Sequence, residues 1–329
     1  MPRVLVQVLS ALLAAVFTDA GGALAQPAAG AYPNRPIRFI VPQTPGGMVD
    51  NVARAVAQHL TERLGQPVVV ENRAGANGTI GFEVAARSAP DGYTLLMVHQ
   101  AGLVLAAASR KNLSYDPLRD FASISLLFET PYYLIVHPSV PARSVQELVD
   151  LAKAQPGKLN YSSTGVGSGQ HLFMERFKTL TRVNLVHVPY KGSSQAGADL
   201  LSGQVQVMLQ GPAFTVPQAR TGRVRALAAT GTKRTQAMPD VPTVSEAGVP
   251  GFDASTWWGL SGPAGLTRPV INQLNRDVSN ILKSPAVREK FAELNIDLVP
   301  STPEELTERV RGEIPIFTKA MRDAGIEPE

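Results

Sequence analysis

From Ile37 to Ala229 short apolar runs alternate with stretches whose apolar residues recur at helical spacing, which confines the chain to α/β layers. Ile37–Val41, Val68–Glu71 and Thr94–Val98 are the first expected strands, with helices over Val49–Leu64, stopped by Gly65, and Gly78–Arg87 between them. A second series has strands at Leu134–Val136, Leu159–Tyr161, Leu185–Val188, Val205–Leu209 and Ala226–Ala229. Helices over Val145–Ala154, Gly169–Leu180, Ser194–Leu201 and Ala213–Arg220 interleave with them. After Pro250 come one strand, Ser255–Leu260, and three amphipathic helices, Val270–Leu282, Ala286–Leu294 and Pro303–Met321, the last opening on a proline. Two lobes are expected, each a doubly wound sheet: a discontinuous one from residues 26–130 with 251–329, and a second from residues 131–250.

The first 25 residues set a compartment rather than a fold. Arg3, a mostly apolar uncharged run from Val4 to Phe17, and then Ala23-Leu24-Ala25 match a secretory signal peptide with cleavage between Ala25 and Gln26. The run is short for a bilayer span, which needs about 20 residues; an uncleaved anchor is the competing reading, and Asp19 sits awkwardly in a signal. Removing 25 of the 329 residues leaves 304, enough for two domains with an adequate core. That core must hold without disulfides, because the chain has no cysteine, which also excludes thiol catalysis and thiolate metal sites. The net charge of +4 is scattered, with no run of five basic residues, so nucleic acid is not an expected partner.

In open α/β sheets ligands bind beyond the carboxyl ends of the strands, where loops enter helix N-termini. Three such loops here are small and rich in glycine or hydroxyls: Thr44-Pro45-Gly46-Gly47, then Ala74 to Thr79 with Asn77 at its centre, then Ser162 to Gly169 running into His171. Glycine lets a ligand approach the main chain, and the open N–H groups of a helix start favour negative charge. Each helix end contributes about 0.3–2 kcal/mol and each charge-assisted hydrogen bond about 1.5–3 kcal/mol. A few of each reach the ~8 kcal/mol of a micromolar complex. The expected ligand is therefore a small anion held by amides without a guanidinium, Arg73 and Lys191 being the nearest cations. Any one of these loops taken alone reads equally well as a tight turn that binds nothing.

Several chemistries are disfavoured. No phosphate-binding G-x-x-x-x-G-K-[ST] is present, Gln170 interrupts a dinucleotide G-x-G-x-x-G, and Val166 breaks a G-x-S-x-G around Ser168. His59, His99, His137, His171 and His187 show no metal-ligand spacing, so neither metal nor cofactor is expected. His99 and His171 fall beside the loops and are candidate ligand contacts, while His59 reads as helix surface and His137 and His187, at strand ends, as structural. Trp257 and Trp258 read as core or domain-junction aromatics. A hydrolase acting on an acyl or carboxylate substrate would need a nucleophile–base pair, and no recognised constellation supplies one.

Val41-Pro42, Pro45-Gly46-Gly47 and Asp50, then Val70-Glu71-Asn72-Arg73, Asp91-Gly92-Tyr93-Thr94 and Tyr115-Asp116-Pro117 form one ordered set of motifs. Pro156 to Tyr161, Ser163 to Leu172, His187 to Gly192, Asp199 to Val205, Pro239 to Thr243 and Gly262 to Gly265 continue it. Across essentially the whole mature chain these resemble the solute-binding receptors of tripartite tricarboxylate transporters, the Bug-type receptors. The resemblance implies a Venus-flytrap, type II-like periplasmic binding protein, monomeric, that closes on a di- or tricarboxylate or an aromatic carboxylate and delivers it to an integral membrane permease. Some members act instead as sensors for a signalling partner. It also implies Pro45, Gly46, Gly47, Thr164, Gly165 and Ser168 as main-chain and hydroxyl contacts, with Tyr190 and Asp199 as supports. Thr44, Asn77, His99, Ser163, His171 and Gln210 complete the candidate set. Gln206 and Gln210 stand where the family often has acids, so a plain carboxylate is expected in preference to an amino acid.

Overall fold

The computed structural model describes residues 32–75, 78–292, 296–323 and 325–328; the expected signal peptide and its cleavage site, and Asn77, lie outside them. The body from Arg35 onward opens with β1 (Ile37–Val41), α1 (Met48–Leu64), β2 (Val68–Asn72), α2 (Thr79–Ala86) and β3 (Thr94–His99). Strand β1 runs parallel to both β2 and β3, so the carboxyl ends of all three open on one edge. Helix α1 stops where expected, with Gly65 left-handed at φ 65° and its N–H on the Thr61 carbonyl.

Directly after β3 come two stretches that were not expected. A π-helical turn over Ala101–Leu105 runs on into α3 (Ala106–Ser109), and β4 covers Phe121–Pro131. The first is an alanine-rich run with no periodic contrast. The second is buried on both faces at Leu126, Leu127 and Phe128, which erases the period-two alternation of a half-buried strand. Strand β10 (Ser255–Pro263) lies antiparallel between β3 and β4, and the two-residue β11 (Asp297–Leu298) pairs with the outer side of β4.

The second sheet holds β5 (Tyr133–Val136), β6 (Asn160–Ser163), β7 (Val186–Pro189), β8 (Val207–Gln210) and β9 (Arg225–Ala229), in the order β7-β6-β8-β5-β9. It is mixed: β6 is parallel to β7 and β8, whereas β5 is antiparallel to β8 and β9. Helices α4 (Val145–Ala154), α5 (Gly169–Thr181), α6 (Ser193–Leu201) and α7 (Pro212–Arg220) connect its strands, with Ser144 and Ser168 capping α4 and α5 through their hydroxyls. The chain ends in α8 (Arg268–Lys283), α9 (Pro285–Ala292) and α10 (Pro303–Asp323). Phe317 of α10 packs on Phe173 of α5 at 5.5 Å between ring centres, and Glu313 of α10 accepts hydrogen bonds from Trp257 Nε1 and Gln100 Nε2.

The chain passes between the two sheets twice, and hydrogen bonds tie the two crossings together. Tyr132 alone separates β4 from β5, Thr230 follows β9, and Ala254 precedes β10. The Thr230 N–H donates to the Tyr132 carbonyl at 2.9 Å and the Ala254 N–H to the Thr230 carbonyl at 2.9 Å. The Tyr132 N–H donates to Thr230 Oγ1 at 2.8 Å, whose own proton faces the carbonyls of Tyr132 and Ala254 at 3.0 Å.

Candidate ligand-binding site

The loop after β1 is held by one carboxylate. Buried Asp50, in the first turn of α1, accepts from the Gly46 N–H at 2.9 Å, from Arg54 Nε at 2.9 Å and from Asn72 Nδ2 at 2.9 Å, and Asn72 also donates to the Gln43 carbonyl. Burial alone would raise its pKa, but the bonds from Arg54, Gly46 and Asn72 outweigh it and hold the carboxyl below its ordinary value. The ends of β1 and β2 are thereby locked together. Gly47 and Gly78, the N-caps of α1 and α2, have no side chain to occupy the first amides of those helices.

Between the two sheets' loops lies a cleft of about 610 Å³, walled by Pro42, Gln43 and Thr44 after β1, Gly75, Gly78 and Thr79 around the start of α2, and Thr164 with Val166 to Gly169 after β6. Ser109, Arg110, His99 with its cross-strand neighbour Trp258, and Thr256 complete the lining. Thr256 and Trp258 also line an adjoining space of about 600 Å³ with Met48, Tyr132, Ser193, Ser194, Gln210 and Phe214, so the two spaces are halves of one groove.

His99 is 3% exposed, and its Nδ1 accepts the Gly102 N–H at 3.0 Å, which places the ring proton on Nε2. Burial pushes its pKa down to about 4, so the ring is neutral at neutral pH. Its Nε2–H has no partner, nor does the Trp258 Nε1–H. These are two of three unpartnered buried side-chain polar atoms among the described residues, and both belong to residues that line the groove. Unsatisfied buried groups are rare in folded proteins.

Of the residues singled out from sequence, Thr44, His99, Thr164 and Ser168 line the first half and Gln210 the second. Pro45, Gly46 and Gly47 are exposed beside the groove, and the Gly46 amide is spent on Asp50. Ser163 is buried, its Oγ bonded to His187 Nε2 at 2.7 Å and to the Gly165 main chain. The Thr164 N–H donates to Gln170 Oε1, and Gln210 Oε1 accepts the Gly211 N–H. Tyr190 and Asp199 bind one another at 2.7 Å, away from the lining; burial and that carboxylate push the tyrosine up to about 12.

His171 faces elsewhere. Its ring stacks on His187 at 3.8 Å, its Nδ1 accepts the Gly167 N–H, and it borders a separate hollow with Glu175 and Lys178. The sequence reading did not single out Arg110. It enters the cleft from the residue after α3 and donates to Thr79 Oγ1 at 2.8 Å across 31 positions of chain, a juxtaposition no local motif announces.

The family model for the tripartite tricarboxylate transporter family receptor matches residues 52–314. The chain belongs to this family. The receptor is 37% identical over 311 residues to protein BugT of Bordetella pertussis (strain Tohama I), covering 94% of this chain and 95% of that one. Its fold matches R. palustris Rpa4515 with adipate at a TM-score of 0.72 and 33% identity, over 91% of this chain and all of the other. It also matches MatC (Rpa3494) from Rhodopseudomonas palustris with bound malate at a TM-score of 0.67 and 33% identity, over 88% of this chain and 99% of that one. The receptor therefore has the two-lobed α/β fold of periplasmic binding proteins.

Proposed function

We propose that this receptor captures a small carboxylate in the periplasm, between a lobe of residues 26–130 with 251–329 and a lobe of residues 131–250, and presents it to the membrane subunits of a tripartite transporter. The observation that carries the reading is the composition of the groove. Helix starts from both sheets line it, two of its residues, His99 and Trp258, carry unpartnered N–H donors, and among the described residues no acidic side chain lines either half. Such a surface is built for an acceptor. The relatives with adipate and malate bound support a carboxylate in particular.

Binding without turnover also fits the chemistry. The hydroxyl–imidazole pair of Ser163 and His187 is sealed inside the loop after β6, and Ser163 is fully buried, so no acyl group reaches it. The receptor works as a monomer beside a separate permease; among the described residues no helix is long and apolar enough to cross a membrane.

A thermal-unfolding screen against carboxylates tests the proposal. A ligand at 100 times its Kd stabilises the fold by about 2.7 kcal/mol, and small-angle scattering should show a smaller radius with that ligand bound. A panel in which no carboxylate moves the transition, or one that yields a chemically altered product, would overturn it.

A further inference from the structure

We propose that Arg110 and His99 form the anionic anchor of the groove and that the half beyond Trp258 takes a hydrocarbon body, so the ligand is an amphipathic monocarboxylate with a straight-chain or aromatic tail. The inference rests on the receptor reading above and narrows it.

Arg110 is the one formally charged side chain among the described residues lining either half, since burial keeps His99 neutral. Its hydrogen bond to Thr79 Oγ1 holds the guanidinium over the start of α2, and it makes no ion pair among the described residues. A guanidinium has further donors in a planar fork that matches a carboxylate. The second, independent sign is His99, which lines the same wall while 97% buried and whose Nε2–H donor has no protein partner. A cation, a neutral buried donor and a helix start at one end of the groove describe a seat for one carboxylate.

The other half differs in kind. Met48, Tyr132, Phe214 and Trp258 supply its apolar wall, Ser193 and Ser194 at the start of α6 add hydroxyls, no charged side chain among the described residues lines it, and α7 starts with Pro212, which has no N–H to offer a second anion. Gln210 is turned inward, accepting the Gly211 N–H at 2.9 Å. The space favours apolar surface over a second head group.

Calorimetric titration of the mature receptor with butyrate, hexanoate, octanoate, hexanamide, adipate and malate decides the matter. The expected result is affinity rising about fourfold per added methylene, with hexanoate stronger than both adipate and hexanamide. Arg110→Gln should weaken hexanoate about 10- to 100-fold and leave hexanamide unchanged, with Arg110→Lys in between. Should Arg110→Gln fail to fold, a salt titration of the native protein replaces it: hexanoate should weaken with ionic strength and hexanamide should not. A flat series, adipate or malate above octanoate, or indifference to both Arg110→Gln and salt overturns this inference while leaving the receptor reading intact. Failure of every carboxylate to bind the native protein would remove both.

Discussion

His99 makes a quantitative prediction about pH. The unfolded imidazole, with an ordinary value near 6.5, takes up a proton as the pH falls from 7 to 5, whereas the folded ring, held at about 4 by burial, does not. The unfolded chain then binds more protons, so stability is fully present above pH 6.5 and is lost as the pH falls toward 4. At 1.36 kcal/mol per unit the whole window amounts to about 3 kcal/mol, of which about 2 kcal/mol falls between pH 7 and pH 5. His171 and His187 are also lowered by burial and add with the same sign, so the native protein alone does not isolate the effect. His99→Gln does, because an amide oxygen can still accept the Gly102 N–H but does not titrate. Urea unfolding of both proteins without ligand at pH 7 and pH 5 should show the variant losing about 2 kcal/mol less than the native chain. Equal losses in the two proteins would mean that the buried ring is not the group being charged.

Further outcomes follow from other contacts. Asp50→Ala should cost about 2–4 kcal/mol in urea unfolding, because it removes the acceptor for Gly46, Arg54 and Asn72, and it should weaken ligand capture by freeing the loop after β1. Gly102→Ala would place a methyl 2.4 Å from the fully buried Phe82 ring, an overpacking expected to cost about 1–3 kcal/mol on denaturant titration. Arg309→Met should destabilise by about 3–5 kcal/mol, since it strands Glu129 and Glu313, whose carboxylates pair with that guanidinium; replacing Glu129 and Glu313 by glutamines in the same chain should recover part of that loss.

Much of the fold was legible because local signals and packing agree. Helix α1 shows capless glycine at its start, helical spacing within and Gly65 at its end, and it forms within one residue of expectation. Strand β4 was illegible because both its faces are covered at the centre, and periodicity reports burial on one face only. The site divides the same way. The glycine and hydroxyl loops were visible as loops, and they do converge on one groove. Which atoms remain open was not visible: the Gly46 amide is taken by a carboxylate four residues on, and His171 turns toward His187. Arg110 could not be found from sequence, because its place depends on how α3 lies against the start of α2.

The two crossings, at Tyr132 and from Thr230 to Ala254, are tied together by one threonine hydroxyl and two main-chain bonds. Tyr132 itself walls the groove, and Thr256 and Trp258 stand a few residues along from Ala254. On the proposed binding mode, any swing of one sheet against the other would twist torsions beside the solute. Solute and pivot would then share a free energy, and a molecule that fits only one pivot angle would bias that angle directly, without a relay of intervening side chains.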